Sequence, residues 1–333
     1  MPLGAVRCVD LKRLKYPWQM SDISFQAPKV PVALPSKLSP FSQAPEAQAL
    51  SGSMFERALS APQRQTLDDL LIAARQAPPP DYLAFFCGDE QLGYLPKTHA
   101  IWLASALQNC RLEPGRTVWD ASSLMAEQRS ASLQAALIDL REQGHVAAWR
   151  NEAFSFSISA SVPHATEDAE FLRIERAGFR FLGLMSHAVH INSFTPDGKM
   201  WCGLRSTAKA TDPGLWDNFT AGGLAASESL AECAARELWE EAGFKLAQAS
   251  VLEEAGHVRI SRPTASGWHD EVLHIYNLPL PNDFCPANQD GEVQAFACLS
   301  APEVMARMDA HQFTHDAALA IAQGLRALHK SNL

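Results

Sequence analysis

Residues 222–244 read GGLAASESLAECAARELWEEAGF. Ser229 followed three residues later by Glu232 is a capping box, in which each residue satisfies a backbone N–H of the other, so a helix is predicted to start there. Gly243 stands where a left-handed glycine ends a helix. Leu230, Ala234 and Leu238 recur every four residues and define the face turned to the core. At 3.6 residues per turn, Glu237, Glu240 and Glu241 fall within roughly 100° of arc. Glu237 and Glu241 border the apolar stripe, so three carboxylates crowd one patch that is partly turned inward. Like charges three and four apart repel by roughly 0.2–0.5 kcal/mol per pair. Acids in the last turn also oppose the helix dipole, which favours cations there by roughly 0.3–1 kcal/mol. Only Arg236, four residues before Glu240, can offset that charge locally. A helix that breaks its own local rules marks a candidate functional site. The natural compensator is a divalent cation, and oxygen-only donors suit Mg²⁺ or Mn²⁺.

Working outward, residues 184–194 read as a strand, 196–199 (PDGK) as a turn and 200–204 as the return strand, a hairpin. A glycine-containing segment, 213–223, leads into the helix at about 230–242. Beyond it, strands are predicted over 256–260, 272–278 and 292–299, then helices over 301–309 and 315–329. Strands interleaved with helices predict, for 181–333, a mixed sheet sandwiched between helical layers. Residues 61–180 read as a smaller auxiliary α/β domain. It has a helix over 61–77 stopped by Pro78, Pro79 and Pro80, and a hairpin from 82–87 and 92–95. Helices follow over 99–108 and 125–143, then a strand over 154–159. Residues 1–60 carry Pro17, Pro28, Pro31, Pro35, Pro40 and Pro45 and read as a Pro-rich arm, largely disordered.

The chain has 333 residues and a formal net charge of −9. That length suggests about two domains. The acidic balance excludes a surface built for nonspecific nucleic-acid binding, while a local basic pocket can still hold a small acidic ligand. Seven cysteines are scattered without a C-x-x-C pair, which argues against a disulfide framework or a zinc ribbon. Free thiols fit a reducing compartment, and the cytoplasm is the expected location. No apolar run approaches the ~20 residues needed to span a bilayer, so no membrane partner is expected.

The stretch 222–244 resembles the Nudix box, G-x5-E-x7-R-E-U-x-E-E-x-G-U, where U is bulky and apolar. Gly222, Glu228, Arg236, Glu237, Leu238, Glu240, Glu241, Gly243 and Phe244 meet every fixed position. The resemblance implies the Nudix α/β/α sandwich and a phosphoanhydride hydrolase. It implies that Glu237, Glu240 and Glu241 bind the metal, with a backbone carbonyl near Gly222 and Gly223 as a further ligand. Arg236 would orient a metal-binding glutamate, and Glu228 would support the loop. Further segments are similar to the Nudix branch found fused to fungal thiamine pyrophosphokinases. They are WCGLRS (201–206), Lys209, Pro213, Gly214, Asp217, Asn218, LPNDF (280–284), QDGEV (289–293), EQRS (127–130), WRNE (149–152) and HIN (190–192). That likeness implies hydrolysis of thiamine diphosphate, or its oxidised or damaged analogues, to the monophosphate. Competing readings are hydrolysis of an ADP-sugar or other nucleoside diphosphate derivative, and a non-catalytic ligand sensor.

Metal-assisted hydrolysis needs a group that takes a proton from water; Glu241 and Glu292 are the candidates. Arg205 and Lys209 are expected to hold phosphate by charge-assisted bonds. His311 and His315, four apart, read as a surface pair. His190 reads as a structural hydrogen-bonding residue, and Trp149, Trp201, Trp216 and Trp268 as core residues.

Overall fold

The computed structural model describes residues 52–158, 170–245 and 252–331. Its main element is a seven-stranded mixed sheet. Strand β7 (Met185–Phe194) is central. It runs parallel to β12 (Gly267–Pro279), in register from Met185 opposite Asp270 to Phe194 opposite Pro279. Strand β11 (Glu253–Thr264) pairs antiparallel with β12 at one edge. On the other side lie β8 (Lys199–Arg205) and β13 (Val293–Ser300). Strands β9 (Trp216–Asp217) and β10 (Thr220–Gly223) pair with β8 and β7 respectively.

Alternation along β7 sends side chains to two faces. Val189 and Ile191 enter a core with Leu238, Cys233 and Ala234 of α5 (Leu230–Ala242). Ala188 faces the other way, into a core with Leu273, Ile275, Leu319 and Ala320. The last two belong to α7 (His315–Ser331). Helix α6 (Ala301–Asp309) and α1 (Ala61–Ile72) pack beside α7 through Val304, Met305, Leu67 and Leu325. Helix, sheet and helix therefore stack as an α/β/α sandwich, as the sequence pattern predicts.

A second, four-stranded sheet has the order β2-β1-β4-β3. It consists of β1 (Tyr82–Cys87), β2 (Glu90–Pro96), β3 (Cys110–Glu113) and β4 (Arg116–Trp119). Helices α2 (Lys97–Ala106) and α3 (Ala126–Glu142) cover it. The short pair β5 (Ala153–Phe156) and β6 (Leu172–Glu175) follows, then α4 (Arg176–Leu182). These elements share a core that also takes in Met185 and Val272 from the large sheet.

Two expectations need adjustment. The helix predicted over 61–77 ends at Ile72, because Arg75 and Gln76 leave it to pair with Ser261 on β11. Residues 1–51 of the expected arm lie outside the described residues. Residues 52–57 are helical, since Phe55 is fully buried with its ring 5.5 Å from that of Phe194, and Glu56 pairs with Arg64 at 2.6 Å.

Candidate active site

Helix α5 begins at its predicted capping box. Ser229 Oγ accepts from the Glu232 N–H at 3.2 Å, and Glu232 Oε2 accepts from the Ser229 N–H at 2.8 Å. It ends at Gly243, whose φ of 65° puts it in the left-handed region. Three hydrogen bonds, two of them between backbones, tie the loop before β13 to the helix end. The Ala287 N–H donates to the Ala242 carbonyl at 3.0 Å and the Gln289 N–H to that of Glu240 at 2.8 Å. Asn288 Nδ2 reaches the Glu241 carbonyl at 3.4 Å. Orphan carbonyls at a helix C-terminus need such partners, and satisfying them anchors the loop that carries Glu292.

Strand β10 forms the opposite wall. A side-chain carbon at Gly222 would lie 1.7 Å from Glu237 Oε1, and one at Gly223 would lie 2.4 Å from the Phe154 ring. Only glycine lets the Glu237 carboxylate and the β5 aromatic close on this strand. Glu237 and Glu241 are buried, whereas Glu240 keeps 41% of its side chain exposed. Arg236 organises the cluster. Its Nε and Nη2 make a two-pronged pair with Glu228 at 2.7 and 2.9 Å. Nη1 reaches Glu237 at 2.5 Å and Glu240 at 3.3 Å, and Nη2 also donates to the Gly223 carbonyl at 3.2 Å. Glu241 turns instead to the Ala221 N–H at 2.9 Å.

This is a strained electrostatic arrangement. Burial pushes the Glu241 carboxyl well above its usual range, and the nearby Glu237 charge adds to the shift. Burial also raises Glu237, against the opposing pull of Arg236. Burial raises Glu240 as well, again against the pull of Arg236. Glu292 behaves differently: burial raises it, but its ion pair with Lys209 outweighs that and holds it below the ordinary value. Glu292 thus joins the edge of the cluster as an ionised acid, close enough to act on Glu237.

Lys209 is paired with Glu292 at the edge of the acidic cluster. Arg205 does not offer its charge there. Its guanidinium donates to Asp217 at 2.9 Å and to the carbonyls of Asp212 at 3.1 Å and Thr211 at 2.8 Å, so its donors shape the loop that presents Lys209. His190 makes the expected structural bond, to Asn218 Oδ1 at 3.2 Å. Trp268 is fully buried against Tyr82 and Tyr94.

No residue pattern marks the Ala221 N–H, because a backbone donor leaves no residue signature, and none marks the wall made by Phe154 and Arg176. The Arg176 guanidinium lies 5.1 Å over the Phe154 ring, and Ala153 accepts from the Ala226 N–H at 2.8 Å.

Among the described residues, the oxygens of Glu237, Glu240 and Glu241 do not gather into one three-ligand cluster; Arg236 bonds two of them and Ala221 holds the third. The donor set nevertheless fits a hard divalent ion. It offers only oxygens, two of its carboxylates are buried together, and its acids outnumber Arg236 and Lys209.

Residues 186–319 match the NUDIX domain family model, the family that the 222–244 pattern resembles. The chain is 34% identical over 181 residues to Nudix hydrolase 24, chloroplastic, of Arabidopsis thaliana, covering 54% of this chain and 48% of that protein. It is 29% identical over 237 residues to Nudix hydrolase 20, chloroplastic, of the same plant, covering 67% of this chain and 62% of that one. The chain thus spans about half to three-fifths of the length of these curated relatives. A crystal structure of DR0079 from Deinococcus radiodurans aligns with 49% of this chain and 92% of its own, at 19% identity and a TM-score of 0.35. No helix among the described residues is long and apolar enough to cross a membrane.

Proposed function

We propose that the chain is a Mg²⁺-dependent pyrophosphohydrolase that cleaves the diphosphate of thiamine diphosphate, or of its oxidised or damaged analogues, to monophosphate and phosphate. One observation carries the hydrolase reading: Glu237 and Glu241 are both buried against β10, where burial raises each carboxyl and the Glu237 charge raises Glu241 further. Glu237, Glu240, Glu241 and the Gly222 carbonyl would hold the metal, which would neutralise diphosphate charge and make a bound water more acidic. Arg236 fixes the carboxylates in place without taking part in proton transfer. Lys209 can leave Glu292 for a phosphate oxygen, since an ammonium recognises either as a point charge. Glu292, then free and ionised, accepts a proton from water.

The substrate class rests on the further resemblance of the sequence. Several of its segments touch the Nudix elements. WRNE (149–152) leads into β5 beside Gly223. QDGEV (289–293) is fastened to the end of α5. Asp217 and Asn218 bond Arg205 and His190. Chemistry at the phosphates is common to all diphosphate substrates, so the organic moiety must be read by these flanking segments.

The decisive experiment is a panel of thiamine diphosphate, its oxidised forms, ADP-ribose and nucleoside diphosphates with Mg²⁺, scored by phosphate and monophosphate release. Thiamine esters are expected to give the highest kcat/KM; if ADP-ribose outperforms them all, the thiamine assignment falls while the hydrolase survives. Glu241→Gln is expected to lower turnover on the order of 10³-fold, the scale of several kcal/mol of metal-assisted stabilisation. Undiminished turnover in a folded Glu241→Gln protein would overturn the site itself.

A further inference from the structure

On the sheet face opposite α5, three ligand-type side chains from distant parts of the chain converge. His269 and Glu271, two apart on β12, project to one side, and Asp316 comes from the first turn of α7. His269 Nε2 lies 3.3 Å from Asp316 Oδ2 and 3.7 Å from Glu271 Oε2, and all three ligand atoms lie within 4.8 Å of one another.

Two observations separate this cluster from an ordinary buried ion pair. His269 is 1% exposed, yet its Nε2 is not aimed at either carboxylate with full hydrogen-bond geometry, although the Asp316 carboxylate is close enough to feel it; Asp316 Oδ1 has no partner at all. A protonated imidazole serving as counter-ion would donate along one N–H···O line. Leaving a buried carboxylate oxygen unmatched is costly, so the arrangement calls for a partner to its lone pairs. The spacing supplies the second observation. Ligands at about 2.1 Å around a tetrahedral ion sit about 3.4 Å apart, close to both measured separations.

Glu271 is oriented from behind: Ser186 Oγ, opposite it on β7, donates to Glu271 Oε1 at 2.7 Å. Such outer-shell bonds are the usual support for metal-binding carboxylates. Side-chain exposures of 12% for Glu271 and 17% for Asp316 leave a path from solvent. The surrounding charges are Arg180 from α4 and His190 from β7, which act on Asp316, and Arg262 from β11, which acts on His315. The His315 Nε2 is itself buried without a partner.

We propose that His269, Glu271 and Asp316 form a second metal site, separate from the Nudix helix, that takes a nitrogen-seeking divalent ion of the Zn²⁺ class and pins the N-terminus of α7 to the sheet. One nitrogen and two carboxylates select such an ion over Mg²⁺, which prefers all-oxygen sites. Because α7 covers the sheet face behind the Nudix core, the ion would act on stability rather than on phosphate chemistry.

The test is Zn²⁺ binding to the full chain in excess Mg²⁺, which occupies all-oxygen sites. One Zn²⁺ per chain is expected, unchanged in Glu241→Gln. His269→Gln and Asp316→Asn should each weaken it by more than about 100-fold, since even outer-shell changes cost 10–100-fold. Zn²⁺ should also raise the Tm of both the wild type and Glu241→Gln, and a chelator should reverse the rise; this decides the matter if the His269 variant fails to fold. Absence of Zn²⁺ binding by the wild type under excess Mg²⁺ would overturn the proposal, and so would its loss in Glu241→Gln with retention in His269→Gln.

Discussion

The two faces of the seven-stranded sheet carry their polar groups in opposite ways. On the α5 face, the acids come from one short stretch, and a single arginine braces Glu228, Glu237 and Glu240. On the α7 face the partners are scattered and mostly neutral. Asn192 Nδ2 donates to the Ala320 carbonyl at 3.0 Å and lies 3.3 Å from Asn277 Oδ1, and Asn277 Nδ2 donates to the Gly324 carbonyl at 3.2 Å. Amides can be satisfied by backbone alone, so this ladder locks helix to sheet without an ion. Carboxylates crowded together cannot be satisfied that way. Along the Asn192–Asn277 ladder one face is built to stay fixed, and its unbalanced charge is confined to His269, Glu271 and Asp316 at the start of α7; the other face keeps its unbalanced charge along the Nudix helix.

Substitutions can break that contrast. Arg236→Ala should have the largest effect on stability. Removing one partner of a buried ion pair costs about 3–5 kcal/mol, and the 29% exposure of this side chain points to the lower end. Urea denaturation at unchanged m-value measures it; a loss below about 1 kcal/mol, the scale of a surface pair, would mean the acids tolerate one another without the arginine.

Gly324→Ala attacks the other face. The added carbon would lie 2.3 Å from Asn192 Nδ2 and 2.7 Å from Asn277 Oδ1. Overpacking of this kind costs about 1–3 kcal/mol, and kcat/KM of the folded fraction should not change. A fall in kcat/KM with stability intact would erase the division of labour between the faces.

The smallest effect concerns pH. Burial, aided by the charge of His257, lowers His274 from 6.5 to about 4, and its Nε2 meets His187 Nδ1 at 3.0 Å. The unfolded chain takes up this proton at the ordinary value while the folded chain resists it. Stability is therefore fully present above about pH 6.5 and declines as pH falls toward about 4. Tm measured across that window should drop, and His274→Asn should flatten the slope; an identical slope in the variant would assign the drop to other groups.

Much of the fold was legible where signals were local. Helix α5 runs from Leu230 to Ala242, as its capping box and terminal glycine predict. The hairpin of β7 and β8 and the last two helices also fall close to their expected positions. Strands β3 and β4 went unread. They are four residues each around Gly115, too short for periodicity, and exist because Thr117 and Val118 pair beside Phe85 and Phe86 of β1. Helix α4 carries no stronger signal: its seven residues hold no stripe, and the helix is held by burial of Phe179, Phe181 and Leu182. The charge of Arg205 is visible in sequence, while the carbonyls of Asp212 and Thr211 that engage it are not.

The sequence by itself determined the Nudix helix, its caps and the crowding of its acids, because those interactions act between residues three or four apart. Only the tertiary structure decided which acids lose their water, that Ala221 and Lys209 come to serve them, and that His269 meets Asp316 from the other end of the domain. Desolvation and charge proximity arise from packing elements far apart in the chain, and no local spacing encodes them.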